Sequence, residues 1–151
     1  MFVMRRLAVL AVIAVAFGVV GCDKGYSPDA GVIVKGKIVK GCNALVVEGR
    51  EVGIGKVEVK LVPVDAGLES ASDNAKEDGT FNIVFAGKGV KPGKYKLAVT
   101  QISKMVDVLN GAFNDTATTI NVEVPANMVG KTLDLGTIDL DSPPANAGAG
   151  S

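Results

Sequence analysis

Apolar and polar residues alternate in twos over most of the chain after residue 31. A period of two is typical of β-strands with one buried and one solvent-exposed face. The alternation occurs in five runs, at residues 32–38, 57–61, 81–85, 95–99 and 120–124. Because one face of each run is apolar and the other mostly polar, the pattern predicts an all-β fold, an antiparallel β-sandwich of about seven strands.

A sixth run changes phase. Leu133 and Leu135 occupy odd positions, whereas Ile138 and Leu140 occupy even ones. Either a β-bulge at Gly136-Thr137 turns the later residues inward again, or two short strands meet there. We favour the bulge.

The connections between the runs contain turn residues, among them Asp78-Gly79 and Pro92-Gly93. The best candidate for a short helix is residues 104–113, whose apolar side chains fit one helical face. The same segment fits equally well a loop that lays Phe113 over one end of the sandwich. Residues 142–151 are rich in Ala, Gly and Pro and poor in large apolar residues, which predicts a disordered tail.

The first residues have the layout of an export signal. Arg5 and Arg6 precede an uninterrupted apolar run over residues 7–21. That run is shorter than the roughly 18–20 residues that cross a bilayer comfortably. A charged start before a short apolar run predicts a signal peptide, inserted as a helix, over residues 1–21.

The signal ends in Val19, Val20, Gly21 and Cys22. This sequence resembles the lipobox of bacterial lipoproteins, in which the Cys thiol takes a diacylglyceryl group and a small residue precedes the cleaved bond. The resemblance implies lipidation of Cys22 with palmitate-type chains, followed by a spacer to residue 31. Two or more acyl chains anchor a protein stably, since each buried CH₂ contributes about 0.8 kcal/mol. The alternative is an uncleaved membrane anchor with an incidental Cys.

The composition removes several kinds of chemistry. The chain has 16 basic and 16 acidic residues, no His and two Cys. Without His there is no Ser-His-Asp or Cys-His catalysis and no imidazole for a metal. Two Cys build neither a disulfide scaffold nor a Cys-rich metal site. The balanced charge gives no reason to expect nucleic-acid binding. We expect no cofactor, no metal and no enzymatic activity.

Two motifs carry weaker chemical signals. Cys42 is the thiol that remains after acylation of Cys22, and in an oxidising compartment it would be able to join two molecules through a disulfide; the alternative is a free thiol without function. The segment that ends at Gly79 suggests a calcium loop. With Gly79 at the sixth position of an EF-hand loop, the ligands would be Asn74, Lys76 and Asp78, and Lys76 is a cation where a ligand is required. A looser site of Asp73, Glu77 and Asp78 is an alternative, and turn capping is the better interpretation.

A longer pattern of strands and turns extends over residues 34–100. It begins with Lys35-Gly36-Lys37-Ile38, continues with Gly49-Arg50-Glu51-Val52 and then has a strand that ends at Pro63. It closes with two turn motifs, Asp78-Gly79-Thr80-Phe81 and Pro92-Gly93-Lys94-Tyr95. Residues 34–100 thereby resemble the carboxypeptidase regulatory-like domain, which is similar in fold to transthyretin. The resemblance implies a non-catalytic, transthyretin-like or immunoglobulin-like sandwich over residues 32–141. It also implies that Phe81 and Tyr95 fill the core.

Together these features predict an exported lipoprotein of the bacterial cell envelope, on the periplasmic face or the cell surface. Its expected role is binding or structural interaction with an envelope protein or polysaccharide, through loops at one end of the sandwich or through a sheet edge. A carbohydrate-binding module and an enzyme with a carboxylate or Lys site are the alternatives. The scarcity of aromatic residues argues against the first, and a pocket with two converging acids would favour the second.

Overall fold

The computed structural model describes residues 30–45 and 56–148. The predicted signal peptide, Cys22 with its motif Val19–Val20–Gly21, nearly all of the spacer and the Gly49-Arg50-Glu51-Val52 turn lie outside these residues. Within the described part, no helix is both long and apolar enough to span a membrane.

The described residues form an all-β structure of ten strands without an α-helix, as the alternation predicts. Each of the six predicted runs overlaps a strand, and the four additional strands are short. The strands are β1 (Ile33–Lys40), β2 (Asn43–Ala44), β3 (Lys56–Pro63), β4 (Ala71–Asn74), β5 (Thr80–Ile83), β6 (Gly93–Ser103), β7 (Val106–Asp107), β8 (Asn121–Val124), β9 (Thr132–Asp139) and β10 (Asn146–Ala147).

The strands form two sheets. In the first, β1 is central, with β5 and β2 along one edge and β9 along the other. In the second the order is β10-β8-β6-β3-β4, and β7 extends the β8 side of β6. Both sheets are mixed, because β9 runs parallel to β1 and β10 runs parallel to β8. The expectation of purely antiparallel sheets is therefore wrong. Alternation reports which face of a strand is buried and contains no information about its direction.

Alternate residues of the long strands supply the apolar core. Side chains with no exposed surface include Val34 and Ile38 from β1, Val59 and Leu61 from β3, and Leu97 and Val99 from β6. Burying side chains of this size stabilises a fold by roughly 1.5–3 kcal/mol each, as an upper estimate.

Phe81 and Tyr95 belong to this core, as the resemblance implies. Their exposed fractions are 2% and 1%. The Tyr95 hydroxyl donates a hydrogen bond of 2.9 Å to the Lys91 carbonyl. Burial, with a smaller contribution from the Asp65 carboxylate, raises the pKa of Tyr95. The phenol therefore stays neutral and keeps donating this bond.

The phase change in β9 is a β-bulge, as predicted. Lys35 pairs with Asp134 but Lys37 pairs with Thr137, so β9 contains one extra residue. Gly136 has φ of +70°, the left-handed conformation that this kind of bulge requires. As a result both Leu135 and Ile138 are buried.

The two ends of the sandwich differ in what they contain. At one end, which we call the entry end, the chain enters at residue 30, and Val32 bridges to Val90 just before β6. The β6–β7 turn and the turn after β1 lie at the opposite end, the distal end, because β1 and β6 both start at the entry end. The 11 residues of β6 span about 35 Å between these ends.

Two segments resolve questions that the sequence left open. Residues 104–113 form no helix: they contain a hairpin turn, β7 and a loop, and Phe113 packs against the core as in the loop alternative. Residues 142–148, assigned by composition to a disordered tail, instead contribute β10. Asn146 pairs with Asn121 there, and Ala147 is buried against the sandwich.

Candidate functional site

The most unusual surface of the described chain is the hairpin that joins β6 and β7. Ser103 pairs with Val106, which leaves Lys104 and Met105 as a two-residue turn. Their φ angles are +49° and +65°. A tight hairpin turn of the I′ type needs positive φ at both positions and is normally made by Asn-Gly or a similar pair. Two side chains that disfavour this conformation therefore form the tip.

Four apolar side chains around this turn are solvent-exposed. Met105 is 96% exposed, Val106 64%, Val108 51% and Ile102 39%. We call these four residues the apolar tip. Because residues alternate in direction along a strand, Ile102 projects from one face of the hairpin and Val106 from the other, with Met105 at the end. The tip is thus an apolar projection with two apolar faces.

Two lysines lie beside the apolar tip. Lys104 lies in the turn itself, and Lys56 is the cross-strand partner of Ile102. Both lysines are exposed, and neither forms an ion pair with another described residue; the ion pairs found there are Lys35–Asp134 and Lys60–Asp115.

The loop after β7 supports the base of the hairpin. The Asp107 carboxylate accepts backbone hydrogen bonds from Gln101 at 3.1 Å, Leu109 at 3.1 Å and Gly111 at 2.9 Å. The loop then continues along the edge of β6 between β7 and β8, where the Thr118 hydroxyl donates to the Leu97 carbonyl at 2.6 Å. The tip therefore stands on a supported base.

Replacing Asp107 tests this support. The Asp107→Asn side chain keeps the shape of Asp107 and one accepting oxygen, but its NH₂ group cannot accept a hydrogen bond in place of the second oxygen, and the negative charge is lost. We expect the free energy of unfolding to fall by about 2 kcal/mol, the loss of one or two charge-assisted hydrogen bonds. Urea denaturation measures this change. The exposed Asp115→Asn variant is the control and should change stability by less than about 1 kcal/mol; equal effects of the two variants would contradict the supporting role.

Cys42 lies in a second turn at the distal end. Its thiol is free and exposed, and its backbone has φ of +66°. The Asp139 carboxylate accepts hydrogen bonds from the N–H groups of Asp141 and Gly41, both at 3.0 Å. The bond from Asp141, together with those from Gly41 and Cys42, holds the pKa of Asp139 below its ordinary value. The intermolecular disulfide stays a prediction.

The acidic segment before Gly79 forms turn caps. Asp73 accepts a bond of 2.8 Å from the Asn82 N–H, and Asp78 accepts bonds from the N–H and hydroxyl of Thr80. The Thr80 hydroxyl is the main cause of a lowered pKa at Asp78. In the described part of the chain, no group of three or more Cys, Asp or Glu side chains is placed to hold a metal ion. The two bonds from Thr80 bear out the turn-capping interpretation for Asp78.

An enzyme with a carboxylate site needs a cavity in which two acidic side chains converge, and three open cavities bear on this requirement. A groove of about 580 Å³ beside β8 and β10 contains Glu123, and a trough of about 680 Å³ on the outer face of β1 contains Asp134. A cleft of about 600 Å³ at the entry end contains Glu69. The described lining of each therefore includes a single carboxylate. The Gly136 N–H and the Lys35 ammonium, 3.1 Å away, lower the pKa of Asp134, which is the opposite of what a general acid needs.

Sequence reasoning found part of the apolar tip and missed its position. The sequence predicts a short apolar helix or a loop over residues 104–113, which include Met105, Val106 and Val108, and it does not predict that Ile102 is exposed. The sequence signal for the tip is the pair Lys104-Met105 between apolar residues that favour strands. The same signal also fits a buried strand. Only the length of β6, which reaches Ser103, shows that these side chains extend past the core.

Comparisons of the whole chain with family models, with curated proteins and with solved structures gave no match.

Proposed function

We propose that the chain is a lipid-anchored, non-catalytic protein of the bacterial cell envelope that binds a partner through the apolar tip. The observation that carries the proposal is the placement of the tip. The chain enters the sandwich at one end, and the exposed apolar side chains lie about 35 Å away at the other. An anchor preceding residue 30 would hold the first end at a membrane and direct the tip away from it.

The anchor itself is inferred from the sequence. Arg5 and Arg6, the apolar run that follows and the Val19-Val20-Gly21-Cys22 motif occur in the order and spacing of a lipoprotein signal. Acylation at Cys22 leaves seven residues before the described sandwich begins at residue 30. Fully extended, that connection reaches roughly 25 Å, less than the length of the sandwich.

Binding through the tip is better supported than binding through a sheet edge. A partner strand needs a long, flat, open edge, and the described edge strands β2, β4 and β10 have two to four residues. The longer edge strand β9 is interrupted by its bulge, and Gly148 of the chain end lies against Leu135 beside it.

The alternatives receive less support. Carbohydrate platforms use exposed aromatic rings, whereas Phe81 and Tyr95 are buried and Phe85 and Phe113 pack against the core. An enzyme with a carboxylate site needs paired acids, and each described cavity offers one. The resemblance to the carboxypeptidase regulatory-like domain agrees with a non-catalytic module and remains part of the proposal.

The anchor is tested by Cys22→Ala. In cells fed an alkyne analogue of palmitate, the wild-type chain should carry the label and should be found in the membrane fraction. In the variant we expect the label to disappear and, because the thiol that carries the acyl chains is gone, the labelled membrane form to be lost. Cys42→Ala is the matched control and should label like the wild type. Equal labelling of all three chains, or none in the wild type, would refute the anchor.

A further inference from the structure

The shape and charge of the apolar tip restrict what can bind it. Ile102 and Val106 lie on opposite faces of the hairpin, and Met105 lies at its end. A flat surface would cover one face and leave the other in water. A cleft with two walls covers both faces and the end at once. The tip exposes on the order of 400 Å² of apolar side chain, the size of a functional patch rather than of a stable dimer interface.

The charges near the tip argue against a second copy. In a symmetric contact between two tips, Lys104 of one molecule would face positive charge on the other, and Lys56 would add to the repulsion. Carboxylates on the binding surface would instead complement both lysines and steer association. Among the described residues of the hairpin, Asp107 is the one carboxylate, and its hydrogen bonds direct it into the loop.

The position of the tip argues against the anchoring membrane. Under the proposed function, on which this inference rests, the lipid lies beyond the entry end. A connection of roughly 25 Å lets the tip of a 35 Å sandwich touch the same membrane only when the sandwich axis lies within about 45° of the membrane plane. In such an inclined orientation one face of the hairpin turns toward the lipid and the other turns away, so Ile102 and Val106 are not covered equally.

We infer that the occupant of the apolar tip is a different envelope protein, one with an apolar cleft whose rim carries acidic side chains. Met105 enters the cleft, Ile102 and Val106 contact its two walls, and Lys104 and Lys56 pair with the rim. Strain in the turn is consistent with such a role, since residues held in disfavoured backbone conformations concentrate at binding sites.

The test uses the full-length chain in intact cells of the source organism, with the photoreactive residue benzoylphenylalanine at position 105. Position 127, an exposed site at the entry end, receives the same residue as the positional control. We expect one discrete adduct with another protein from position 105 and none of that mass from position 127. Mass spectrometry then identifies the attached peptide and the acidic residues beside it.

Charge reversal supplies the decisive comparison. Lys104→Glu should lower the yield of the adduct about fivefold to tenfold, equivalent to about 1–1.4 kcal/mol. Lys131→Glu, an exposed lysine at the entry end, should leave the yield unchanged. Replacing the identified acidic residue of the partner by Lys should restore the adduct with the Lys104→Glu chain and not with the Lys131→Glu chain.

Several results would overturn the inference. An adduct at twice the mass of the chain would identify a second copy, and a lipid adduct would identify the bilayer. No adduct, or equal adducts at positions 105 and 127, would show that the tip has no specific occupant. Palmitate labelling is measured separately. A chain that forms the adduct but carries no label would refute the anchor alone, and a labelled chain that forms no adduct would refute the role of the tip alone. Melting temperatures of the purified variants confirm that each is folded.

Discussion

Gly79→Ala should lower the free energy of unfolding by on the order of 3 kcal/mol, one of the largest effects expected of a single methyl group in this protein. Gly79 has φ of +83°, which side chains disfavour. A Cβ atom at this position would lie 2.3 Å from the Ile38 carbonyl oxygen. That oxygen belongs to the central strand of the first sheet, and Ile38 donates a hydrogen bond to the Gly79 carbonyl at 2.9 Å. The added methyl group would meet backbone rather than a flexible side chain, so the turn or the strand would have to shift.

Gly67 provides the matched control. Its φ of +81° is nearly the same, but a Cβ there would meet nothing within 4 Å. Gly67→Ala should therefore cost about 1 kcal/mol, the conformational part alone. Urea denaturation of both variants gives their free energies of unfolding. The difference between the two losses is the cost of the contact with Ile38, because the backbone strain is nearly the same in both. Equal losses would show that the approach to Ile38 contributes nothing.

The comparison of these glycines shows what sequence can and cannot predict. The pair Asp78-Gly79 predicts a turn because it favours positive φ, and the structure has a turn at these residues. The close approach of Gly79 to Ile38 depends on how the turn folds back over β1, which no local pattern encodes. The same division holds at Gly136, where the phase of the apolar residues predicted the bulge but not its parallel partner strand.

The short strands were missed for a related reason. β2, β7 and β10 have two residues each, too few for any periodicity, and β4 is mostly polar. They form because longer neighbours offer unpaired backbone groups, so their existence follows from the sheets rather than from their own residues. Asn146 and Ala147 are the clearest case, since composition placed them in a disordered tail and β8 orders them.

The apolar tip was only partly predictable. Met105 and Val108 are three residues apart, which fits one face of a helix and implies burial, while the same segment fits a loop equally well. What decides their exposure is that β6 continues to Ser103 and turns through two residues, so the apolar side chains pass the end of the core. The sequence predicts that this segment is apolar, and the tertiary structure determines that its side chains are exposed to solvent.

Strain at the tip leads to the last prediction. Changing Lys104→Asn together with Met105→Gly installs the pair that a two-residue turn of this type prefers. Relief of the two disfavoured φ angles should raise the free energy of unfolding by about 1–2 kcal/mol and the melting temperature by about 5 °C. The same change removes the charge and the apolar end of the tip. With benzoylphenylalanine at position 106, we expect the yield of the partner adduct to fall at least tenfold.

A gain in stability joined to a loss of binding would be a trade-off, which is common where a binding site holds strained residues. Lys104→Asn alone is the intermediate control: it relieves part of the strain and keeps Met105, so it should stabilise the chain by less and retain more of the adduct. If the double variant were more stable and formed the adduct in full yield, Lys104 and Met105 would be dispensable for recognition. If it were less stable than the wild type, the turn would not be strained, and the backbone angles of the tip would have no bearing on its function.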